Sequence, residues 1–344
     1  MASEAWPSEG LESVGHCPYC GSDQRHVALQ DVQDWAFGCA PGHWTYWDCG
    51  QCQALYLDPR PTESTVGMAY AHYYTHGAAA SSIAARMKQR LRNELWFHLF
   101  GADLIPRMGF PRVFAGVVKR LQTRIAEPFG LRQIAQLPRG LLVDVGCGNG
   151  EKLEIAAQLG WQTLGLELDP SAAQAARLRG LEIREGGYAL LGQLGQLGQL
   201  ADCIVCSHVL EHVHQPLELL QLLRRALKPG GTLLLSTPNA RSHLRSRYGR
   251  NWRGLEAPRH LAIPAQQWLV RALEAQGFVC DPVASVDLEC AVESERISRR
   301  AAVADASDLL AARQVLGARR TVPLHEADAI QLVCRLGADS LIKP

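Results

Sequence analysis

The sequence predicts an α/β fold built around a mostly parallel sheet, and three largely apolar runs carry this prediction. The first, Leu141–Val145, ends in a glycine-rich turn that is followed by an amphipathic helix pattern. The second, Trp161–Leu168, and a later one, Asp202–Cys206, are also separated by helical patterns. Strands that alternate with helices in this way favour βαβ units and a parallel sheet.

The turn after the first run reads Asp-Val-Gly-Cys-Gly-Asn-Gly-Glu, with glycines at alternate positions. Glycine adopts backbone conformations that are closed to residues with a Cβ, and it lets a ligand lie against the main chain. This spacing is neither the Gly-x-Gly-x-x-Gly dinucleotide fingerprint nor a phosphate loop. Glu167 ends the second run about 20 residues later, where a carboxylate can accept both ribose hydroxyls of an adenosine-containing ligand. The pattern therefore predicts a cofactor site, with another kind of βα turn as the alternative.

Four motifs, in order and at the family's spacing, resemble the class I S-adenosylmethionine-dependent methyltransferases. They are VDVGCGNG, GLELDP, ADCIVCSHVLEHVHQPLELL and LKPGGTLLLSTPN, and together they cover about residues 141–277. The resemblance implies a Rossmann-like, seven-stranded, mostly parallel sheet with S-adenosylmethionine across the ends of its first strands. The cofactor-binding residues expected on this basis are Asp144, Gly146, Cys147, Gly148, Gly150, Glu167, Leu168 and Ser207.

Two Cys-x-x-Cys pairs near the N-terminus predict a small zinc-ribbon-like module, with the ligands Cys17, Cys20, Cys49 and Cys52. Four thiolates close a tetrahedron around Zn²⁺ and leave no open position, so the site is expected to be structural. Cys39 and His43 are alternative ligands for one position. Similar modules precede the methyltransferase domain in sugar C-methyltransferases and in some ribosomal RNA base methyltransferases, so the module does not by itself select the substrate.

The strongest reactive candidates follow the fourth predicted strand, because ligands of open parallel sheets bind beyond the carboxyl ends of the strands. On one helical turn, His208, Glu211 and His212 stand at i, i+3 and i+4 and converge. This spacing resembles the Glu-x-x-Glu-His metal site of ubiquinone-biosynthesis O-methyltransferases and small-RNA 2′-O-methyltransferases, with His208 in place of the first Glu. His260 could complete such a set. The sequence favours His208, His212 and His260 as metal-free catalytic residues, with a second metal as the alternative.

Charge patterns bear on the acceptor, because the formal net charge of +1 excludes a globally basic nucleic-acid coat. Residues 81–124 hold nine basic and two acidic residues, and the loop 239–260 holds six arginines and one glutamate. Arginine favours phosphate and carboxylate groups. The favoured hypothesis is therefore methyl transfer to an O or C atom of a small or carrier-linked, anionic acceptor such as a sugar or cell-surface glycan precursor. An RNA methyltransferase and a catalytically silent S-adenosylmethionine-binding regulatory module are the alternatives.

The 344 residues predict a zinc-binding module at 1–60, a helical linker or lid at 61–137 and the methyltransferase domain at 138–344, with a helical insertion at about 290–325. Tyr70, Tyr73 and Tyr74 are expected either to cover the cofactor or to pack. No apolar run is long enough for a membrane span, and residues 1–16 lack a signal pattern. We therefore expect a cytoplasmic protein with reduced cysteines, in which the basic stretch 81–124 could touch a membrane surface.

Overall fold

The computed structural model describes residues 5–70, 83–109, 129–196, 198–285, 287–300, 303–318 and 323–338. Tyr73 and Tyr74 lie outside these residues, as do Arg112, Lys119, Arg120 and Arg124 of the basic stretch. Within the described ranges, no helix combines the length and the apolar character needed to cross a bilayer.

The N-terminal part of the chain consists mainly of short strands. They are β1 (Leu11–Glu12), β2 (Arg25–Val32), β3 (Trp44–Cys49), β4 (Leu55–Leu57) and β5 (Arg60–Pro61), and they are followed by helices α1 (Ile83–Phe100) and α2 (Leu131–Gln136). The next segment alternates strands and helices as predicted. It comprises β6 (Leu141–Val145), α3 (Glu151–Gln158), β7 (Gln162–Glu167), α4 (Pro170–Arg177), β8 (Ile183–Glu185), α5 (Leu190–Gln196) and β9 (Ala201–Ser207).

The last segment has longer connections. It comprises α6 (Pro216–Ala226), β10 (Leu227–Pro238), α7 (His243–Tyr248), β11 (Ala262–Ile263), α8 (Gln266–Glu274), β12 (Phe278–Pro282), α9 (Leu288–Arg299), α10 (Ala306–Ala318) and β13 (Ala329–Leu336). Helices α9 and α10 occupy the segment predicted as an insertion.

The predicted seven-stranded sheet is confirmed, with the strand order β12-β13-β10-β9-β6-β7-β8. Strand β6 pairs in parallel with β7 on one side and with β9 on the other, and β7 pairs in parallel with β8. Because β6 lies inside the sheet, four of its five residues are buried, which explains why it reads as a continuous apolar run rather than an alternating one.

The turn from β6 to α3 packs its backbone closely against side chains at the end of α4 and just beyond it. Gly150 has φ of 79° and precedes the first residue of α3. A Cβ at this position would lie 2.4 Å from Leu181 Cδ1 and 3.0 Å from Ala176 Cβ. Only glycine therefore satisfies both the left-handed conformation and the packing against the end of α4.

A second sheet of four strands has the order β11-β4-β3-β2. Strands β2, β3 and β4 form a meander near the cysteine pairs. Strand β11 comes from a segment about 200 residues further along the chain and adds to β4 through the antiparallel pairs Ala262↔Tyr56 and Ile263↔Leu55. The N-terminal sheet thus ends in a strand that begins two residues after His260.

The chain forms two compact units. One consists of Met1–Tyr74, Ser207–Gln221 and Leu235–Cys334, and the other of Thr75–Cys206, Leu222–Leu234 and Arg335–Pro344. These units cut across the three segments predicted from the sequence, because the N-terminal strands pack with residues from 207 onward. The predicted segment boundaries at 60 and 137 stay a prediction.

One cysteine pair departs from the expectation of reduced thiols. Cys280 of β12 and Cys334 of β13 form a disulfide, since these neighbouring strands place their Cα atoms 4.1 Å apart. The four cysteines of the two Cys-x-x-Cys pairs are free thiols.

Candidate active site and metal centre

The two Cys-x-x-Cys pairs converge on one point. The Sγ atoms of Cys17, Cys20, Cys49 and Cys52 all lie within 4.8 Å of one another. Cys17 and Cys52 are 3.4 Å apart, and Cys20 and Cys49 are 3.5 Å apart. A tetrahedral Zn²⁺ with Zn–S bonds of about 2.3 Å requires sulfur–sulfur distances of about 3.8 Å, so the set fits zinc without rearrangement of the fold.

The backbone after each cysteine pair turns in the left-handed region. Gly21 follows the first pair with φ of 72°, and Gln53 follows the second with φ of 62°. The alternative ligands lie elsewhere. Cys39 Sγ contacts Asp34, and His43 Nδ1 contacts Asp31, and neither belongs to the four-sulfur group. The four cysteines of the two pairs are therefore the complete ligand set within the described residues.

The glycine turn and Glu167 lie side by side, as the sequence predicts for a cofactor site. Gly148 N–H donates to Glu167 Oε2 at 2.7 Å, and Asp169 N–H donates to Glu167 Oε1 at 2.9 Å. Gly146 and Gly148 both have positive φ, of 68° and 54°. A carboxylate has about four lone-pair sites. Glu167 can therefore keep both backbone hydrogen bonds and still accept the ribose hydroxyls of S-adenosylmethionine, so the residues fit this cofactor.

The other predicted cofactor residues differ in exposure. Asp144, on β6, is buried, and burial raises the pKa of its carboxyl to about 6, with Glu167 acting in the same direction. Burial likewise raises the pKa of the Cys147 thiol to about 12. Leu168 is 74% exposed just beyond β7, where an apolar side chain can cover a bound ligand. Ser207 is the last residue of β9.

The predicted histidines surround a buried glutamate, but not on a regular helical turn. Only Leu210–His212 is helical, as a 3₁₀ turn, and His208 precedes it with φ of 56°. A non-glycine residue in this region is uncommon and is often found at functional sites. His208 Nδ1 still lies 3.1 Å from Glu211 Oε1, and Thr237 Oγ1 donates to Glu211 Oε2 at 2.9 Å. The predicted convergence of His208 and Glu211 thus occurs through a strained backbone.

His212 and His260 complete this cluster, since one ring nitrogen of each and one carboxylate oxygen of Glu211 all lie within 4.8 Å of one another. His212 Nδ1 lies 3.1 Å from the carbonyl oxygen of Arg259 and 2.9 Å from the Tyr70 hydroxyl. The carbonyl fixes a proton on Nδ1, which leaves the lone pair on Nε2. In His260, Nδ1 lies 2.7 Å from Gly254 O and Nε2 lies 2.9 Å from Glu256 Oε2. Both nitrogens of His260 thus face acceptors.

Burial and neighbouring charges set the pKa values of Glu211 and His212 in this cluster. Burial alone would raise the pKa of Glu211, but the hydrogen bond with His208 and the charges of the three histidines lower it to about 2. For His212, burial lowers the pKa to about 4, and the neighbouring His260 adds to this effect. At neutral pH the cluster therefore pairs an ionised Glu211 with a neutral His212.

The loop that carries His260 is held by the N-terminal sheet. The Tyr46 hydroxyl lies 2.8 Å from Leu255 O and 2.9 Å from His260 O, and the Tyr19 hydroxyl donates to Ala262 O at 2.9 Å. Both tyrosines are buried. No local sequence pattern indicates that their hydroxyls bind a loop about 200 residues away.

A buried ion pair adds to these contacts. The Arg259 guanidinium, with no exposed side-chain surface, binds Asp34 with two nitrogens and donates to Ala69 O at 2.9 Å. Asp34 also accepts the N–H groups of Phe37, Cys39 and Ala40. Burial would raise the pKa of Asp34, but Arg259 and these amides lower it. Because the Arg259 carbonyl orients His212, the pair joins the N-terminal loop to the histidine cluster.

Four of the six arginines in the loop 239–260 bind carboxylates of the protein. The pairs are Arg245–Asp48, Arg250–Asp31, Arg253–Glu256 and Arg259–Asp34. The remaining two, Arg241 and Arg247, are exposed. The inference that this loop selects an anionic acceptor therefore finds no support in the placement of its arginines, because internal pairing neutralises most of their charge.

Residues 117–283 match the family model described as "Methyltransferase domain". A parallel sheet with a glycine turn after its first strand and an acidic end on its second is the architecture of the class I methyltransferases. The chain is therefore similar to methyltransferases over residues 117–283 and has the predicted class I methyltransferase fold, and its N-terminal cysteine cluster fits a zinc module, as the sequence predicts.

Curated relatives include the ubiquinone biosynthesis O-methyltransferases of Xanthomonas campestris pv. campestris (strain B100) and Alkalilimnicola ehrlichii. The first is 37% identical over 107 residues, which are 30% of this chain and 45% of the relative. The second is 34% identical over 121 residues, which are 33% of this chain and 49% of the relative. This chain thus spans about half the length of these relatives.

Similar solved structures include a SAM-dependent methyltransferase from Archaeoglobus fulgidus, with a TM-score of 0.41 and 17% identity, covering 63% of this chain and 91% of that one. Another is an S-adenosylmethionine-dependent methyltransferase from Mesorhizobium loti, with a TM-score of 0.39 and 19% identity, covering 60% of this chain and 95% of that one.

We predict that Cys49→Ser reduces the zinc content from about one ion per chain to near zero and lowers the melting temperature, because three thiolates no longer close the tetrahedron. Elemental analysis and thermal unfolding measure both effects. Cys39→Ser, outside the cluster, is the matched control and should keep the zinc. Retention of zinc in Cys49→Ser would contradict the ligand assignment, and a second metal lost only in His212→Asn would assign metal to the histidine cluster.

Glu167→Ala should weaken S-adenosylmethionine binding at least about tenfold, because each lost hydrogen bond to a charged group contributes about 1.5–3 kcal/mol. Titration calorimetry measures the dissociation constant. Glu182→Ala, which removes an exposed carboxylate of the same unit, serves as the control and should bind normally. Equal affinity in both variants would exclude Glu167 from the cofactor site.

Arg259→Met should lower the free energy of unfolding by about 3–5 kcal/mol, because it leaves the buried Asp34 carboxylate unpaired. Chemical denaturation measures the change. Arg241→Met, at an exposed position of the same loop, should change stability by less than about 0.5 kcal/mol. Since folding lowers the pKa of Asp34, the contribution of the pair is complete above the unfolded pKa of about 3.9 and disappears as the pH falls through the lower folded value. Equal effects of the two substitutions would contradict this role.

Proposed function

We propose that the protein is an S-adenosylmethionine-dependent methyltransferase that methylates an oxygen atom of a small or carrier-linked acceptor. The methyltransferase domain supports the reaction class, and the names of the curated relatives support transfer to oxygen. The observation that carries the proposal is the orientation of His212. Its Nδ1 faces the Arg259 carbonyl, so that Nε2 carries the lone pair, and one nitrogen of the ring lies within 4.8 Å of Glu211 and His260.

In this proposal His212 is the general base. When bound by the glycine turn and Glu167, S-adenosylmethionine would supply a methyl group that is already activated by its sulfonium charge. His212 Nε2 takes the proton of the acceptor hydroxyl, and the nearby Glu211 carboxylate stabilises the imidazolium that forms. Thr237 and His208 hold Glu211 in place through its two oxygens. His208, which is 55% exposed at its side chain, can contact the acceptor itself.

The alternative in which the histidines bind a second metal requires a rearrangement. A histidine that ligates a metal needs a lone pair on one ring nitrogen. In His260, one nitrogen faces Gly254 O and the other faces Glu256. These contacts favour the metal-free role, in which His260 orients the cluster.

A sugar or glycan precursor remains the proposed kind of acceptor. A carbohydrate offers hydroxyls for methylation, and zinc modules of this kind also precede sugar methyltransferases. The RNA alternative is less well supported, because most arginines of the loop 239–260 are paired within the protein and cannot also grip phosphates. The cytoplasmic location expected from the sequence stays a prediction.

We expect His212→Asn to lower the rate of methyl transfer by about 10²- to 10⁴-fold while the dissociation constant of S-adenosylmethionine is unchanged, because the variant loses only the proton acceptor. Transfer of labelled methyl groups to fractionated small-molecule extract measures activity, and calorimetry measures binding. His26→Gln, at an exposed position of β2, is the matched control. Undiminished transfer in His212→Asn would exclude His212 as the general base. If the wild type binds the cofactor but transfers no methyl group, the silent regulatory module would be favoured.

A further inference from the structure

The three candidate catalytic histidines, His208, His212 and His260, line one cavity of about 420 Å³. A cavity of this volume lies in the range that accommodates small ligands, so it is the candidate binding site for the acceptor. Part of its wall comes from the N-terminal segment, which contributes Ala36 and Phe37. Both lie between the two cysteine pairs and precede the residues that match the methyltransferase model. The N-terminal segment therefore supplies a part of the cavity that the matched domain does not.

The loop 34–40, which carries Phe37, is held in place from two sides. On one side, the buried Asp34 carboxylate pairs with Arg259 and accepts three N–H groups of the loop, among them that of Phe37 at 3.2 Å. On the other side, Arg296 of α9 donates to two successive carbonyl oxygens of the loop, at 3.4 and 3.3 Å. The backbone at Phe37 is thus fixed before a ligand binds, which lowers the entropic cost of binding.

The ring of Phe37 is held as well. The guanidinium carbon atoms of Arg259 and Arg253 lie 4.7 and 4.9 Å from its centroid, within the range of a cation–π interaction. Even so, Phe37 is 37% exposed, the largest fraction of any Phe, Tyr or Trp among the described residues. The most exposed aromatic residue in this part of the chain therefore lies in the cavity that contains the candidate base.

From this arrangement we infer that Phe37 is a specificity-determining residue that selects a cyclic acceptor with an apolar ring face and hydroxyl groups at its edge. A sugar presents such a face through its C–H groups, and a phenol presents it through its aromatic ring. Packing of this face against Phe37 leaves the hydroxyl groups at the edge of the ring available for methylation. The inference rests on the proposed function and specifies the shape of its substrate.

Three small probes separate ring shape from hydroxyl content. Methyl β-D-glucopyranoside and catechol have a ring with hydroxyl groups, whereas sorbitol has hydroxyl groups on an open chain. Saturation-transfer NMR on the full-length protein gives their dissociation constants. We expect at least one ring compound to bind at least about threefold more tightly than sorbitol, because contact with an aromatic ring adds to the effect of burial alone. A preference for the glucoside or for catechol identifies a sugar or a phenol as the acceptor.

Two substitutions at Phe37 test its role. Phe37→Leu keeps an apolar side chain beside Arg259 but removes the ring, so the preference over sorbitol should fall to near one. Phe37→Tyr keeps the ring and should retain the preference. With the most active extract fraction as substrate, Phe37→Leu should raise the half-saturating amount at least about threefold, with unchanged maximal rate and S-adenosylmethionine affinity. Leu310→Ala, an exposed apolar change outside the cavity, should alter none of these values.

Two outcomes would overturn the inference. One is that neither ring compound binds more tightly than sorbitol. The other is an unchanged preference in Phe37→Leu, which would leave Phe37 only as a cover of the buried ion pair. S-adenosylmethionine titration and methyl transfer to extract fractions, measured on the same preparation, keep this failure distinct. Intact transfer without a ring preference removes only the role of Phe37, whereas a ring preference without transfer supports that role and contradicts the proposed function.

Discussion

The histidine cluster depends on one buried ion pair, Asp34–Arg259. A charge pair with no exposed surface offsets its desolvation only when further hydrogen bonds satisfy much of its remaining hydrogen-bonding capacity. Here three backbone amides converge on Asp34, and Arg259 also donates to Ala69 O. The ion pair affects the histidine cluster through the backbone, because the Arg259 carbonyl faces His212 Nδ1. The tautomer of His212, the proposed base, thus depends on the backbone carbonyl of Arg259, and the ion pair of the Arg259 side chain holds that carbonyl in place.

The pairing of β11 with β4 also links the N-terminal sheet to the histidine cluster. Strand β11 extends the N-terminal sheet, and Leu57 N–H donates to Leu261 O at 2.9 Å. In the cysteine cluster, Cys49 ends β3, Cys52 precedes β4, and the first cysteine pair precedes β2. A metal bound there would therefore fix the sheet that holds the His260 loop. A structural ion can therefore govern an active site that it does not touch. This is a physical reason for a zinc module and a methyltransferase domain to occur in one chain.

Features formed by residues close together in the sequence can be predicted from it, whereas contacts between distant residues cannot. The glycine turn, Glu167 and the two cysteine pairs are short patterns with specific stereochemical requirements, and the structure brings the members of each together. His208 and Glu211 also meet as expected, but the left-handed backbone of His208 has no sequence signal because glycine would be the usual residue there. Asp34 and Arg259 are 225 residues apart, and only the folded chain reveals that they pair.

The arginine-rich loop shows why a charge count misleads when the partners are distant. Each guanidinium at 245, 250, 253 and 259 has a carboxylate partner, and three of those partners lie in the N-terminal segment. Among the residues that the structure describes, Asp287 and Glu289, in a segment without an obvious motif, have no ion-pair partner and line a cavity together with the three histidines. The effective charge of a site is therefore set by which charges remain unpaired after folding. By that criterion, a loop that reads as basic in the sequence carries little unpaired positive charge in the folded chain.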